Sequence, residues 1–183
     1  MKVYQTKDIR NVALIGAAKS GKTSIAEAMM FETGIINRLG NIEDKNTVSD
    51  YRPIELDKKN SVSSTVLCAE HKGKKINIID TPGFPGYRGD VFSALSVADA
   101  AVIVVNAQNE TEIGTERKFR WATKHNLPTI FVVNHLDHDN INFDNKVSQL
   151  KGVFKNITLV QYPVNAGPDF DAFIDVLQMK MFK

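Results

Sequence analysis

The 183-residue sequence is poor in the residues that build cross-linked or membrane-embedded frameworks. It has one cysteine, Cys68, so no disulfide can form within the chain, and this usage suits a reducing compartment. No apolar run approaches the ~20 residues needed to cross a bilayer. The first eight residues, MKVYQTKD, lack the apolar segment of a secretory signal. These absences predict a cytoplasmic chain with no membrane partner. Charge is nearly balanced, 23 Lys and Arg against 21 Asp and Glu, so composition gives no argument for direct DNA binding. No repeat or low-complexity tract is present. With 43% hydrophobic residues, the chain is long enough to bury one core, and a single monomeric domain is expected.

Strand-length apolar runs occur at 12–15, 65–69, 76–79, 101–105, 129–133 and 159–164. Helix-period segments lie at 23–31, 91–97, 115–125, 143–154 and 170–179. Alternating strands and helices predict an α/β domain, helices on both faces of a mainly parallel sheet. Between the second and third runs lie only Glu70-His71-Lys72-Gly73-Lys74-Lys75, too few for a crossover. Those two strands are therefore expected to pair as an antiparallel hairpin at one edge. Residues 34–60 are polar, long and without periodicity, as a functional or disordered loop is. Cys68, Phe119, Trp121, Ala122, Met29 and Met30 read as packing residues. Met179 and Met181 read as core or interdomain packing.

After the first strand, Gly16-Ala17-Ala18-Lys19-Ser20-Gly21-Lys22-Thr23 spells G-x-x-x-x-G-K-T, followed by Ser24 and a helix pattern. This strand, loop and helix context is what a phosphate-binding P-loop requires. Glycines let successive backbone N–H groups face an anion at the helix N-terminus. Lys22 is expected on the terminal phosphates and the Thr23 hydroxyl on Mg²⁺. The third strand ends Asp80-Thr81-Pro82-Gly83. A carboxylate there is placed to support the metal, and Gly83 to present its N–H to a γ-phosphate. The fifth strand ends Asn134-His135-Leu136-Asp137, the N-x-x-D part of the guanine-reading N-K-x-D motif. Asp137 would accept from the guanine N1 and N2 donors, which adenine lacks. Taken alone, N-x-x-D is also an ordinary Asn/Asp turn.

In this order and spacing the motifs resemble the G domain of elongation factor G-like translational GTPases. The loop from Gly16 to Ser24 is similar to that family's G-H-x-D-A-G-K-T-T. Ile76-Asn77-Ile78-Ile79-Asp80-Thr81-Pro82-Gly83 matches I-N-I-I-D-T-P-G, and Val133-Asn134-His135-Leu136-Asp137 is similar to V-N-K-M-D. Phe173-Ile174-Asp175-Val176-Leu177-Gln178-Met179-Lys180 resembles I-D-L-x-x-M-K. The resemblance spans nearly the whole chain and implies a P-loop NTPase fold, three layers α/β/α with one antiparallel edge strand. It implies GTP or GDP and Mg²⁺ as ligands and the ribosome as partner, reached through a longer multidomain factor. It further implies a switch-one-like loop at 34–62 and a switch-two-like segment at 80–90. The family's Ser-Ala-x base-capping motif is expected beyond residue 183, because Ser93-Ala94-Leu95 falls in a helix.

The chain departs from that pattern at several places, among them Pro85-Gly86-Tyr87 where the family has V-D-F. Phe84 stands where the family has the histidine that positions attacking water, and a phenyl ring neither donates nor accepts a hydrogen bond. Losing such a group costs on the order of 10²–10⁴-fold in rate. His135 replaces the usual lysine, and Lys19 replaces a loop aspartate. Lys59-Asn60-Ser61 stands at the switch-one G-I-T, so Ser61 is either a metal hydroxyl in the threonine's place or an ordinary loop serine. Two functions of different class follow: a GTPase, or a GTP-binding switch with little hydrolysis. The G domain of a tetracycline-resistance ribosomal protection protein is a further variant. An adenine-nucleotide P-loop enzyme is opposed by Asp137.

Overall fold

The computed structural model describes residues 3–109 and 113–183. Its central sheet has five strands: β1 (Ile9–Gly16), β2 (Thr65–His71), β3 (Lys74–Asp80), β4 (Ala100–Asn106) and β5 (Thr129–Asn134). They lie in the order β2-β3-β1-β4-β5. All neighbours are parallel except β2 and β3, which form the expected antiparallel hairpin.

Both faces of this sheet are covered, so its strands read as unbroken apolar runs rather than alternating ones. Along β1, Ala13 and Ile15 point to one face and Leu14 to the other, as the two-residue strand period requires. Leu14 packs with Ala26 and Met30 of α1 (Lys22–Glu32) and with Leu67, Ala69 and Ile78. Ala13 and Ile15 meet α3 (Arg88–Val97), α4 (Ile113–Lys124) and α5 (Phe143–Val153) through Val91, Leu95, Ala122 and Leu150. Phe119 and Trp121 join this second cluster, with Trp121 4.5 Å from the Phe92 ring. The result is the three-layer α/β/α P-loop fold.

Four local features refine or correct the expectations. Cys68 is half-buried rather than core, because Leu67 and Ala69 take the core-facing positions of β2. Met179 and Met181 are exposed, which removes them from the core and leaves interdomain packing as the expectation. The loop 34–60 contains a short helix, α2 (Pro53–Lys58). Most substantially, 170–179 is not a helix. It contributes β7 (Ala172–Asp175), which with β6 (Gln161–Val164) and β8 (Lys180–Phe182) forms a separate antiparallel sheet in the order β6-β7-β8. Asp175 explains the difference: its Oδ1 accepts from the Leu177 and Gln178 N–H groups at 2.9 and 2.8 Å. Met179 then takes φ +53° and reverses the chain. An aspartate that binds the backbone two residues on stops a helix and starts a turn. The returning strand stacks Phe182 on Phe173 at 5.4 Å.

The central strands share one consequence for the site. Their registers pair Leu14 with Asp80, Gly16 with Val104, and Asn106 with Asn134, bringing the C-terminal strand ends to one edge. Ligands of open α/β sheets bind at such an edge.

Candidate functional site

The phosphate loop leaves β1 at Gly16 and enters α1 through Gly21, which has φ +90°. A side chain at Gly21 would collide with Asn134 Nδ2, so only glycine fits. That amide donates to Ser20 O at 3.0 Å, tying the end of β5 to the loop. Gly83 is equally confined: a Cβ there would lie 2.5 Å from Ala18 Cα. The backbone after Asp80 therefore rests directly on the phosphate loop.

Two buried ammonium groups brace this region, one within the phosphate loop and one across the contact. Lys22 Nζ donates to Ala17 O at 2.7 Å. Lys118, on α4 and 5% exposed, donates to Gly83 O at 2.9 Å and also to Gly16 O. Sequence reading does not find Lys118, since a lone lysine in an amphipathic helix reads as a surface residue.

An oxygen cluster lies beside Lys22. Asp80 is 1% exposed, and its Oδ2 accepts from Thr23 Oγ1 at 2.7 Å and Ser49 Oγ at 2.8 Å. The Thr23 and Ser61 hydroxyls are 3.2 Å apart. Asp80 Oδ1 and both oxygens of Asp50 are buried without a hydrogen-bond partner of good geometry. Burial pushes Asp50 up to about 6, opposed by the nearby Ser61 hydroxyl and assisted by the Asp80 charge. Burial also raises Asp80, against the Thr23 and Ser49 hydrogen bonds and the Lys22 charge. Unmatched carboxylate oxygens among hydroxyls are a hard-oxygen donor set, which fits a small divalent cation such as Mg²⁺. Ser49 and Asp50 carry no sequence signal, because they come from the aperiodic loop.

That loop is held by carboxylates. Glu27, 1% exposed on α1, accepts from Gly40 N at 3.1 Å and from Val48 N. Glu55, fully buried, accepts from Arg52 N at 3.2 Å, Val62 N at 3.1 Å and Ser63 N at 3.4 Å. The Lys59 ion pair holds Glu43 below the usual carboxylate range. Between this loop and the phosphate loop is a cleft of about 480 Å³. Ala18, Lys19, Gly21, Lys22, Thr23 and Ser24 form one wall, and Asn41, Ile42, Glu43, Asp50 and Ser61 the other. Phe84 and His135 line it as well, and neither Asn134 nor Asp137 does.

The comparisons with known proteins agree with one another. The family model for the elongation factor Tu GTP binding domain matches residues 7–179. The chain belongs to that family. It is a guanine-nucleotide-binding G domain of the elongation factor G-like translational GTPases. It is 36% identical over 178 residues to an elongation factor G-like protein of Thermotoga maritima, covering 97% of this chain and 25% of that protein. A crystal structure of a Thermus thermophilus protein superposes with a TM-score of 0.91 at 32% identity, over 96% of this chain and 26% of that one. The chain thus spans about a quarter of the length of these relatives.

Within this G domain the sequence-predicted residues fall into two groups. Thr23, Ser61, Asp80 and Lys22 converge at one end of the cleft, and Gly83 packs on Ala18. Asn134 and His135 approach Gly21 from the other side, with Asp137 exposed beyond them. Phe84, 40% exposed, occupies the position after Gly83 with its ring at the cleft. Of the four histidines, His135 alone lines this cleft.

Proposed function

We propose that this G domain binds GTP with Mg²⁺ and hydrolyses it, as the nucleotide-responsive part of a cytoplasmic, ribosome-associated elongation factor G-like protein. The observation that carries the reading is the Thr23–Asp80 hydrogen bond of 2.7 Å beside Lys22, with unmatched carboxylate oxygens around it. Thr23, Ser61 and Asp80 would hold the metal, with Ser49 and Asp50 supporting it. A Mg²⁺ held by these residues would supply positive charge against the phosphates. Gly16 to Ser24 cradles the phosphates, Lys22 reaches the β/γ oxygens, and the Gly83 N–H meets the γ-phosphate. Asn134 orients the base loop, and Asp137 accepts from guanine N1 and N2. Residues 34–62 serve as switch one and 80–90 as switch two.

Phosphoryl transfer depends on positioning and electrostatics more than on covalent help from the protein. This chain retains the electrostatic parts and has Phe84 where a water-orienting group is wanted. Hydrolysis is therefore slow. Phe84 also favours a second reading, a GTP-binding switch that hardly hydrolyses and acts on the ribosome through binding energy. Translocation and ribosome protection are alternative tasks for the whole protein.

Mant-GTP titration with Mg²⁺ added or chelated, followed by co-sedimentation with ribosomes in the GTP and GDP states, tests the proposal. Metal-dependent guanine binding and GTP-favoured ribosome association are expected. Equal affinity for ATP and GTP would refute it.

A further inference from the structure

A second donor set, separate from the oxygen cluster, lies in the loop after β5. His135, Asp137 and His138 each offer one ligand atom, and these three atoms lie within 4.8 Å of one another. The rings of His135 and His138 meet edge to face with centroids 5.0 Å apart. His135 Nε2 is buried without a hydrogen-bond partner. It faces Gly21, where an added Cβ would lie 3.4 Å from it. A buried polar atom is destabilising when left unsatisfied, and no protein group meets this one. His135 takes φ +61°, turning its ring out of the strand direction toward the phosphate loop.

Two imidazoles and a carboxylate form a mixed nitrogen and oxygen set. Such a set suits Zn²⁺ and neighbouring transition ions and disfavours Mg²⁺, which takes oxygen ligands. Tetrahedral bonds of ~2.0–2.1 Å place donors roughly 3.3 Å apart, so the side chains must close in by up to about 1.5 Å. Asp137 and His138 are exposed and have the rotamer freedom to do so. Water would complete the coordination.

We propose that His135, Asp137 and His138 bind a divalent transition-metal ion, and that this ion and the guanine base exclude each other at Asp137. The exclusion rests on the reading in which Asp137 accepts from guanine N1 and N2. A carboxylate bound to a metal cannot also take both donors. Linkage makes the effect reciprocal: the factor by which metal weakens nucleotide equals the factor by which nucleotide weakens metal. The base loop is then a metal-sensitive gate on nucleotide loading.

Zn²⁺ is the probe, in competition with a chromogenic chelator, on the 183-residue chain and on His138→Ala. His138 is exposed and lies outside the residues assigned to guanine, so this variant should fold and bind nucleotide normally without metal. The wild type should bind one Zn²⁺, and the variant at least about tenfold more weakly. Saturating Zn²⁺ should weaken mant-GDP binding at least about tenfold in the wild type and less than about twofold in the variant. Chelation of Zn²⁺ by the nucleotide itself is common to both proteins, so their difference reports the loop. Equal Zn²⁺ affinity in the two proteins would overturn the site. Zn²⁺ held through His138 with no effect on mant-GDP would overturn the exclusion. Should mant-GDP not bind at all, the guanine reading fails alone, and the chelator titration still decides the metal site.

Discussion

The Lys118 ammonium donates to the Gly83 carbonyl at 2.9 Å and to the Gly16 carbonyl, joining α4, the phosphate loop and the segment after Asp80 at one buried point. Gly83 is the residue whose N–H is proposed to meet the γ-phosphate, and Lys118 anchors that residue through its carbonyl, in the peptide unit that follows. Lys118→Met should lower GTP affinity about five- to twentyfold while GDP affinity changes less than about twofold. Paired mant-nucleotide titrations measure the split. An equal loss for both nucleotides would make the contact merely structural.

Asp50 links pH to stability. Its folded pKa of about 6 lies above the ordinary 3.8, so the folded state holds the proton more tightly than the unfolded state. Below pH 3.8 both states are protonated and the group has no effect. Between 3.8 and 6 the unfolded state releases its proton first, so stability falls as pH rises, and above 6 the penalty is constant. A rise from 3.8 to about 6 corresponds to about 3 kcal/mol at most. Asp50→Asn should therefore raise the Tm of the metal-free protein at pH 7.5 and leave it nearly unchanged at pH 4. Thermal melts in EDTA at the two pH values check this.

Thr23 and Asp80 share a 2.7 Å hydrogen bond at the centre of the oxygen cluster. Asp80→Asn removes the negative charge while keeping the shape, so Mg²⁺ should no longer strengthen GTP binding. The wild type should show a Mg²⁺ effect of at least about tenfold, and the variant one below about twofold. Nucleotide titrations across a Mg²⁺ series decide it.

In the proposed reading Asp137 sets base choice. Without its carboxylate, the guanine N1 and N2 donors lose their acceptor, and adenine is no longer penalised. Asp137→Ala should cut the preference for GTP over ATP by at least about 10²-fold, since buried polar matching is what sustains large discrimination. Competition of each nucleotide against mant-GDP gives the ratio. A preference unchanged by the substitution would remove Asp137 from base recognition.

The parts of this molecule that can be read from the sequence are contiguous. Gly16, Gly21, Lys22 and Thr23 sit in one loop whose strand and helix flanks are themselves periodic, and Glu70 to Lys75 is too short to be anything but a hairpin turn. The parts that cannot be read depend on contacts between distant residues. Ser49 reaches Asp80 across 31 positions and Lys118 reaches Gly16 across 102, with nothing in their neighbours to mark them. Glu27 and Glu55 look like surface charges until the backbone N–H groups they hold are seen. The segment 170–179 reads as a helix because Phe170, Phe173, Ile174 and Leu177 fall at helical spacing. Alternation over a four-residue strand is too short to compete with that pattern, and Asp175 decides the outcome through its own turn.

The most direct measurement is single-turnover hydrolysis of GTP by this chain with Mg²⁺, run beside Phe84→His. Slow, Mg²⁺-dependent release of phosphate by the wild type is predicted, with the substitution accelerating it about ten- to a hundredfold. GTP bound tightly but left intact by both proteins would contradict the hydrolytic site and leave a nucleotide-binding switch in its place.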